Sequence, residues 1–273
     1  FNKTAWKLGA IISIVFFVFH FNWGLNYYRH SVNERLNFEI QPYSNQELVQ
    51  LSEKLIKKLN EIHLSIAKND TILIENYKSK KEITEKSYEV YDEFQLKFPQ
   101  FSHKKITVKN SLFSVPLTYM GFAGYLNPFT NEAQVNCLIP KSAFTSTVCH
   151  EIAHQIGIGP ESEANFIGYL AAINSSDSFF QYGSYLNALR YCLNEINYTN
   201  PEKFEELKES LNIGILKDLQ QNQEFWESYQ NWSEKYFKIF YDNFSKANNQ
   251  EDGIKSYSKM VVLLINYYKT TNI

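Results

Sequence analysis

His150 and His154 stand four residues apart, with Glu151 directly after the first, in the run "STVCHEIAHQIGIGPESEANFIGYL". On a helix, positions i and i+4 share a face, so both imidazoles can point at one ion. Zinc accepts imidazole nitrogens at about 2.0–2.1 Å, and catalytic zinc sites use three protein ligands plus water. Glu151 is rotated about 100° from His150. It can therefore reach the bound water without binding the metal and take its proton as general base. Glu161, Glu163 and Asn165 follow within a few positions and supply further polar groups.

Two histidines and a glutamate on a solvated helix face are the ordinary alternative. The neighbours argue against it: Val148, Cys149, Ile152, Ala153 and Ile156 are too apolar for a wholly solvated helix. Gly157 then supplies a helix stop. A second helix is expected from Pro160, a favoured first-turn residue, and it returns acidic groups toward the first. A structural zinc site needs no base and usually closes with a fourth protein ligand. Glu151 is retained and no fourth ligand stands nearby, which favours hydrolysis.

"HEIAH" resembles the signature of zincin metallopeptidases, and "ESEAN" resembles the E-x-x-A-D/N element on the second helix of gluzincins, such as the integral-membrane CAAX-type and ImmA-type proteases. That resemblance implies Glu161 as third zinc ligand and Asn165 as the residue supporting a ligand histidine. The link is shorter than gluzincins usually have, with only residues 155–160 between His154 and Glu161, and Glu163 stays open as the alternative ligand. Tyr182, Tyr185 and Tyr257 are weak oxyanion candidates, since a Tyr does this in many zincins. More broadly, "FNWGLNYYR", "GFAGYLNPFTNEAQVN", "CHEIAHQIGI", "ESEANFIGYL" and "DGIKSYSKMVVLL" are similar to a family of bacterial membrane proteins with a zincin-like part, described as a domain of unknown function. In that family more than one span precedes the soluble part, which implies a bacterial inner-membrane protein with its peptidase-like part outside the cytoplasm.

Other elements must position these residues. Ala5 to Gly24 is about as long and apolar as a spanning helix. Lys3 precedes it and Lys7 stands at its start, and Trp6, Trp23, Tyr27 and Tyr28 mark its two ends as an aromatic belt would. Arg29 and Arg35 on the far side weaken any charge bias, so orientation is open. After a connector, Ser44 and Glu47 form a capping box for an amphipathic helix with Leu48, Leu51, Leu55, Leu59, Ile62 and Ile66 on one stripe. His63 lies near that stripe and reads as a surface or packing residue. A second helix spans about Glu82 to Phe98. A strand near Ile106–Lys109 and a hairpin turning at "NPFTNE" give a small sheet, in which Asn127 and Asn136 read as turn and edge residues. Helices return from Lys141, including "NWSEKYFKIFYDNFSKA" and a last stripe of Ile254, Tyr257, Val261, Leu264 and Tyr268.

The 273 residues suffice for a sizeable core, and scarce Gly (10) and Pro (7) favour helices. A net charge of -2 gives no basic face for nucleic acid. Cys137, Cys149 and Cys192 are too few and scattered for a disulfide scaffold. The expectation is an α+β, mainly helical, gluzincin-type zincin-like fold. A transmembrane helix and flanks (1–29) precede a domain over 30–273, with a helical pair (44–98), a small sheet (105–140) and an active-site half (141–273). The expected function is a membrane-anchored Zn2+ metallopeptidase acting on a peptide or protein substrate. The alternative is a non-catalytic scaffold or membrane-tethered binding protein holding structural zinc.

Overall fold

A computed structural model describes residues 3–74, 77–232, 236, 239, 243 and 256–271, the side chains of 256–258 excepted. The expected helix over "NWSEKYFKIFYDNFSKA" falls largely outside them, as does Ile254.

Helix α1 (Lys3–Asn22) holds 20 residues, none of them buried, and its most apolar 18-residue window has a mean hydropathy of 1.7. Twenty residues at 1.5 Å each span about 30 Å, the thickness of a bilayer's hydrocarbon core. Among the described residues it is the one helix long and apolar enough to cross a membrane. At Trp23 the environment changes. Trp23 is buried, and a 3-10 turn over Gly24–Tyr28 lays the chain against the body. The flank placed with the apolar helix on sequence grounds is thus packed into the protein. The connector behaves likewise: it forms α2 (Val32–Arg35), buries Val32 and Phe38, and packs Phe38 on Phe166 and Tyr267 at ring separations of 6.1 and 5.9 Å.

The helical pair follows its capping chemistry. In α3 (Asn45–Ala67), Glu47 N–H donates to Ser44 Oγ at 3.2 Å and Ser44 N–H to Glu47 Oε2 at 2.7 Å. Helix α4 (Lys80–Lys97) repeats the box with Ser79 and Glu82. The predicted stripe faces inward: Leu48, Leu51, Leu55, Leu59 and Ile62 are buried, with Ile66 packed at the margin. His63 is wholly buried and pairs through Nε2 with the Ile72 carbonyl at 2.8 Å, a packing role.

Among the described residues the sheet has three strands: β1 (Val108–Asn110), β2 (Gly124–Asn127) and β3 (Glu132–Val135), in the order β1-β3-β2. β1 runs parallel to β3 with Val108 opposite Ala133, and β2 antiparallel with Gly124 opposite Val135. Asn127 Oδ1 accepts from the Phe129 and Thr130 amides and shapes the turn. Within the stretch read as sheet, residues Ser114–Tyr119 form a short helix, α5. Its few residues are too short for a helical period to show. Asn136 ties it down by donating to Thr118 Oγ1 at 2.8 Å.

The centre is α6 (Lys141–Gln155), α7 (Glu161–Ile173) and α8 (Ser178–Thr199). Val148, Cys149, Ile152 and Ala153 of α6 are fully buried, as are Ala164, Phe166, Ile167 and Leu170 of α7. Helices α9 (Pro201–Glu209), α10 (Ile213–Ser228) and α11 (Ser256–Thr270) follow among the described residues. Helix α7 begins one residue later than expected, with Pro160 just outside it.

Gly168 sets how closely α7 approaches α6. A Cβ there would lie 2.9 Å from the His150 backbone nitrogen. In an exposed helix, Gly to Ala gains up to about 1 kcal/mol of propensity. Here backbone cannot yield, so the sign reverses. Gly168→Ala is expected to destabilise the protein by about 1–3 kcal/mol, read from denaturant midpoints of wild type and variant. A stabilised variant would show that the two helices have slack.

Candidate metal and hydrolytic site

Helix α6 carries His150, Glu151 and His154, whose ligand-type atoms all lie within 4.8 Å of one another. Apolar residues lock the rest of the helix into the core, so this face is held rigidly. The two ring centroids are 4.5 Å apart. Helix α7 brings Glu161 against both: Oε2 is 3.1 Å from His150 Nε2 and Oε1 is 3.5 Å from His154 Nε2. Ligands about 2.0–2.1 Å from a tetrahedral zinc lie roughly 3.3–3.4 Å from each other. The observed separations bracket that edge, and two imidazoles with one carboxylate are a zinc-type donor set.

His154 presents the tautomer that such a donor set needs. Its Nδ1 pairs with the Ile158 carbonyl at 2.7 Å. A carbonyl only accepts, so Nδ1 carries the proton and Nε2 keeps its lone pair when the ring is neutral. Ile158 reaches this position because Gly157 adopts φ +95°, a left-handed conformation that ends α6. Arg29 covers the same helix end, donating to the Ile156 and Gly157 carbonyls at 3.4 and 3.3 Å. Gln155 pins it from the other side through the Thr107 backbone, accepting from its N–H at 2.9 Å and donating to its carbonyl at 3.2 Å, and it donates also to the Asn131 carbonyl. Trp23 stands edge-on to His154 with ring centroids 5.8 Å apart.

Glu151 is buried, with Oε1 beneath Gly124 of β2: a Cβ at position 124 would come within 2.6 Å of it. Its Oε2 is buried with no hydrogen-bond partner among the described residues. Burial raises its pKa to about 7, against the pull of His150 and His154. Burial opposes the charged form of His154, but the Glu161 carboxylate outweighs it and lifts the imidazole to about 9. Burial likewise opposes ionised Glu161, yet the two histidines hold it well below the usual carboxylate range.

The other residues singled out by sequence have different surroundings. Glu163 accepts from the Val32 backbone N–H and faces Arg35, away from the imidazoles, and burial raises its pKa. Asn165 is half-buried on α7, and no hydrogen bond joins it to either histidine among the described residues. His150 Nδ1 is buried and also without a partner there. Tyr182 donates its hydroxyl to Asp218 Oδ2 at 2.5 Å. Tyr185 stacks edge-on with Tyr169 at 5.7 Å and hydrogen-bonds within the Tyr169–Tyr268 group. Neither hydroxyl is turned to the site. The Tyr257 side chain lies outside the described residues. Sequence reasoning missed Trp23, Arg29, Ile158 and Gly124, whose parts depend on contacts between segments far apart in the chain. Gly157 was the one local signal, since a stop there forces the next carbonyls back toward His154.

In chelator-treated protein the His154–Glu161 pair has a signature of its own. The raised His154 stabilises the fold fully below about pH 6.5, and that contribution is lost as pH rises through about 9. Melting temperature is expected to fall across this window, and Glu161→Gln to flatten the fall. A wild-type profile already flat would sink the pairing.

No curated protein and no solved structure matches the chain. A family model does match it, under a description that carries no activity. That model covers residues 1–265, nearly the whole chain, and the protein belongs to the family described as protein of unknown function (DUF3810).

Proposed function

We propose that the protein is a membrane-anchored zinc metallopeptidase. One observation carries the reading. Two imidazole Nε2 atoms converge on Glu161, while the buried, unpartnered Oε2 of Glu151 stands beside them. His150, His154 and Glu161 would hold Zn2+, which supplies a Lewis acid and an acidified water. Glu151 then takes the water's proton and returns it to the leaving amine, work suited to a carboxyl raised to about 7. A purely structural zinc site has no use for a buried carboxylate oxygen left without a partner.

Peptide is the substrate class that the sheet supports. In the order β1-β3-β2, strand β2 has one edge unpaired within the sheet, and its Gly124 lies on Glu151. An extended peptide adding to that edge gains main-chain hydrogen bonds and passes close to the base. Helix α1 supports the membrane anchor by length and composition, and Trp23 continues it onto His154. The site would then stand at the bilayer surface, which favours substrates that are themselves membrane-tethered.

The test uses the full chain in detergent, elemental analysis and a mixed peptide library read by mass spectrometry. Wild type is expected to hold about one zinc. Glu161→Ala is expected to lose it and Glu163→Ala to keep it. Glu151→Gln should retain zinc while hydrolysis drops roughly 10²–10⁴-fold. Equal metal content in wild type, His150→Ala and His154→Ala would overturn the zinc site. Full hydrolysis by Glu151→Gln would overturn the assignment of the base.

A further inference from the structure

We propose that the cleft where α1 meets the body binds the phosphate headgroup of an anionic membrane lipid. The cleft has a volume of about 500 Å³. It lies between the end of α1, the loop before β1, the β2–β3 turn and the end of α6. Arg29, His103, Lys104 and Lys105 all line it, and no Asp or Glu does. Lys104 and Lys105 are exposed, and neither forms an ion pair among the described residues. Arg29 makes its contacts to Asn26, Ile156 and Gly157 through Nη1. A guanidinium has five N–H donors in a fork matched to phosphate oxygens, so donors remain for an anion.

Height along α1 selects a lipid over a free anion. Asn22, the last residue of that helix, lines the cleft. With α1 in the bilayer, its end lies at the headgroup layer. Phe129, 55% exposed on the hairpin turn, lines the same cleft. An aromatic ring at that depth suits the interface between headgroups and acyl chains. Three cations and a half-exposed ring around one opening therefore match a headgroup with its chains directed along α1. His150, Glu151, His154 and Glu161 do not line the cleft. The inference rests on the membrane placement of α1 and is independent of zinc and hydrolysis.

The full chain is first floated with neutral phosphatidylcholine vesicles, which reads the span alone. A chain that stays in the aqueous fraction overturns the membrane placement, and the lipid site with it. Native mass spectrometry in detergent then compares phosphatidylglycerol, phosphatidylcholine and glycerol 3-phosphate, for wild type and the double variant Lys104→Gln, Lys105→Gln. Each cation near an anionic lipid is worth roughly fivefold in affinity. Phosphatidylglycerol is expected to bind in preference to phosphatidylcholine, and about thirtyfold more weakly to the double variant. An unchanged melting temperature in neutral detergent verifies that the variant is folded. Equal binding by wild type and a folded variant, or equal binding of the two lipids, overturns the site. Glycerol 3-phosphate binding as tightly as phosphatidylglycerol overturns the lipid assignment, because the acyl chains then contribute nothing.

Discussion

A carboxylate wedged between two imidazoles is the interaction on which the rest of this structure depends. Glu161 gives one oxygen to each ring, and its side chain is only 25% exposed. Removing such charges from water costs several kcal/mol unless partners compensate. The partners therefore have to be fixed to within a fraction of an ångström. The apolar filling of α6 and α7 and the bare Gly168 between them follow from that demand. A looser helix pair would let water in and leave the carboxylate half paired.

The chain leaving α1 completes the same arrangement. Trp23 closes one side of His154, and Arg29 occupies the carbonyls at the end of α6. Tyr27 lies so close to Gly159 that a Cβ there would meet its ring at 2.8 Å. The segment that leaves the apolar helix and the site are parts of one packed unit. On the membrane reading, the distance from bilayer to site is set by side-chain contact and does not vary with a flexible tether.

The placement of the two histidines was the most legible part of the sequence. The i, i+4 spacing and the apolar neighbours of His150 and His154 put both rings on one helix face, and the structure has them there, with His154 buried and His150 partly so. The capping box at Ser44 placed one helix start, because a cap is a local hydrogen bond readable within four residues, whereas the Ser79 box went unread and the second helix was expected from Glu82 instead of Lys80. Glu161 and Glu163 could not be separated by composition. What separates them is α2, whose Val32 amide and Arg35 occupy Glu163 from a segment some 130 positions away. Helix α5 and the docking of Trp23 were hidden for related reasons. The first is shorter than the period that would reveal it, and the second is a contact across the whole fold. The hydroxyls of Tyr182 and Tyr185 are used inside the core, a commitment that residue type does not disclose.

Residues 156–160 hold two settings at once. The Ile158 carbonyl fixes the proton on His154, and three residues after it the chain must enter α7 with Glu161 facing back. One added residue would turn Glu161 by about 100° on its helix or draw Ile158 off the ring. The length of this link is as fixed as its glycines at 157 and 159, which admit no side chain. Insertions and deletions are ordinarily absorbed by surface loops. Here they would be as damaging as replacing a histidine, so this short turn is the place where the protein's evolution is constrained in residue count as well as in chemistry.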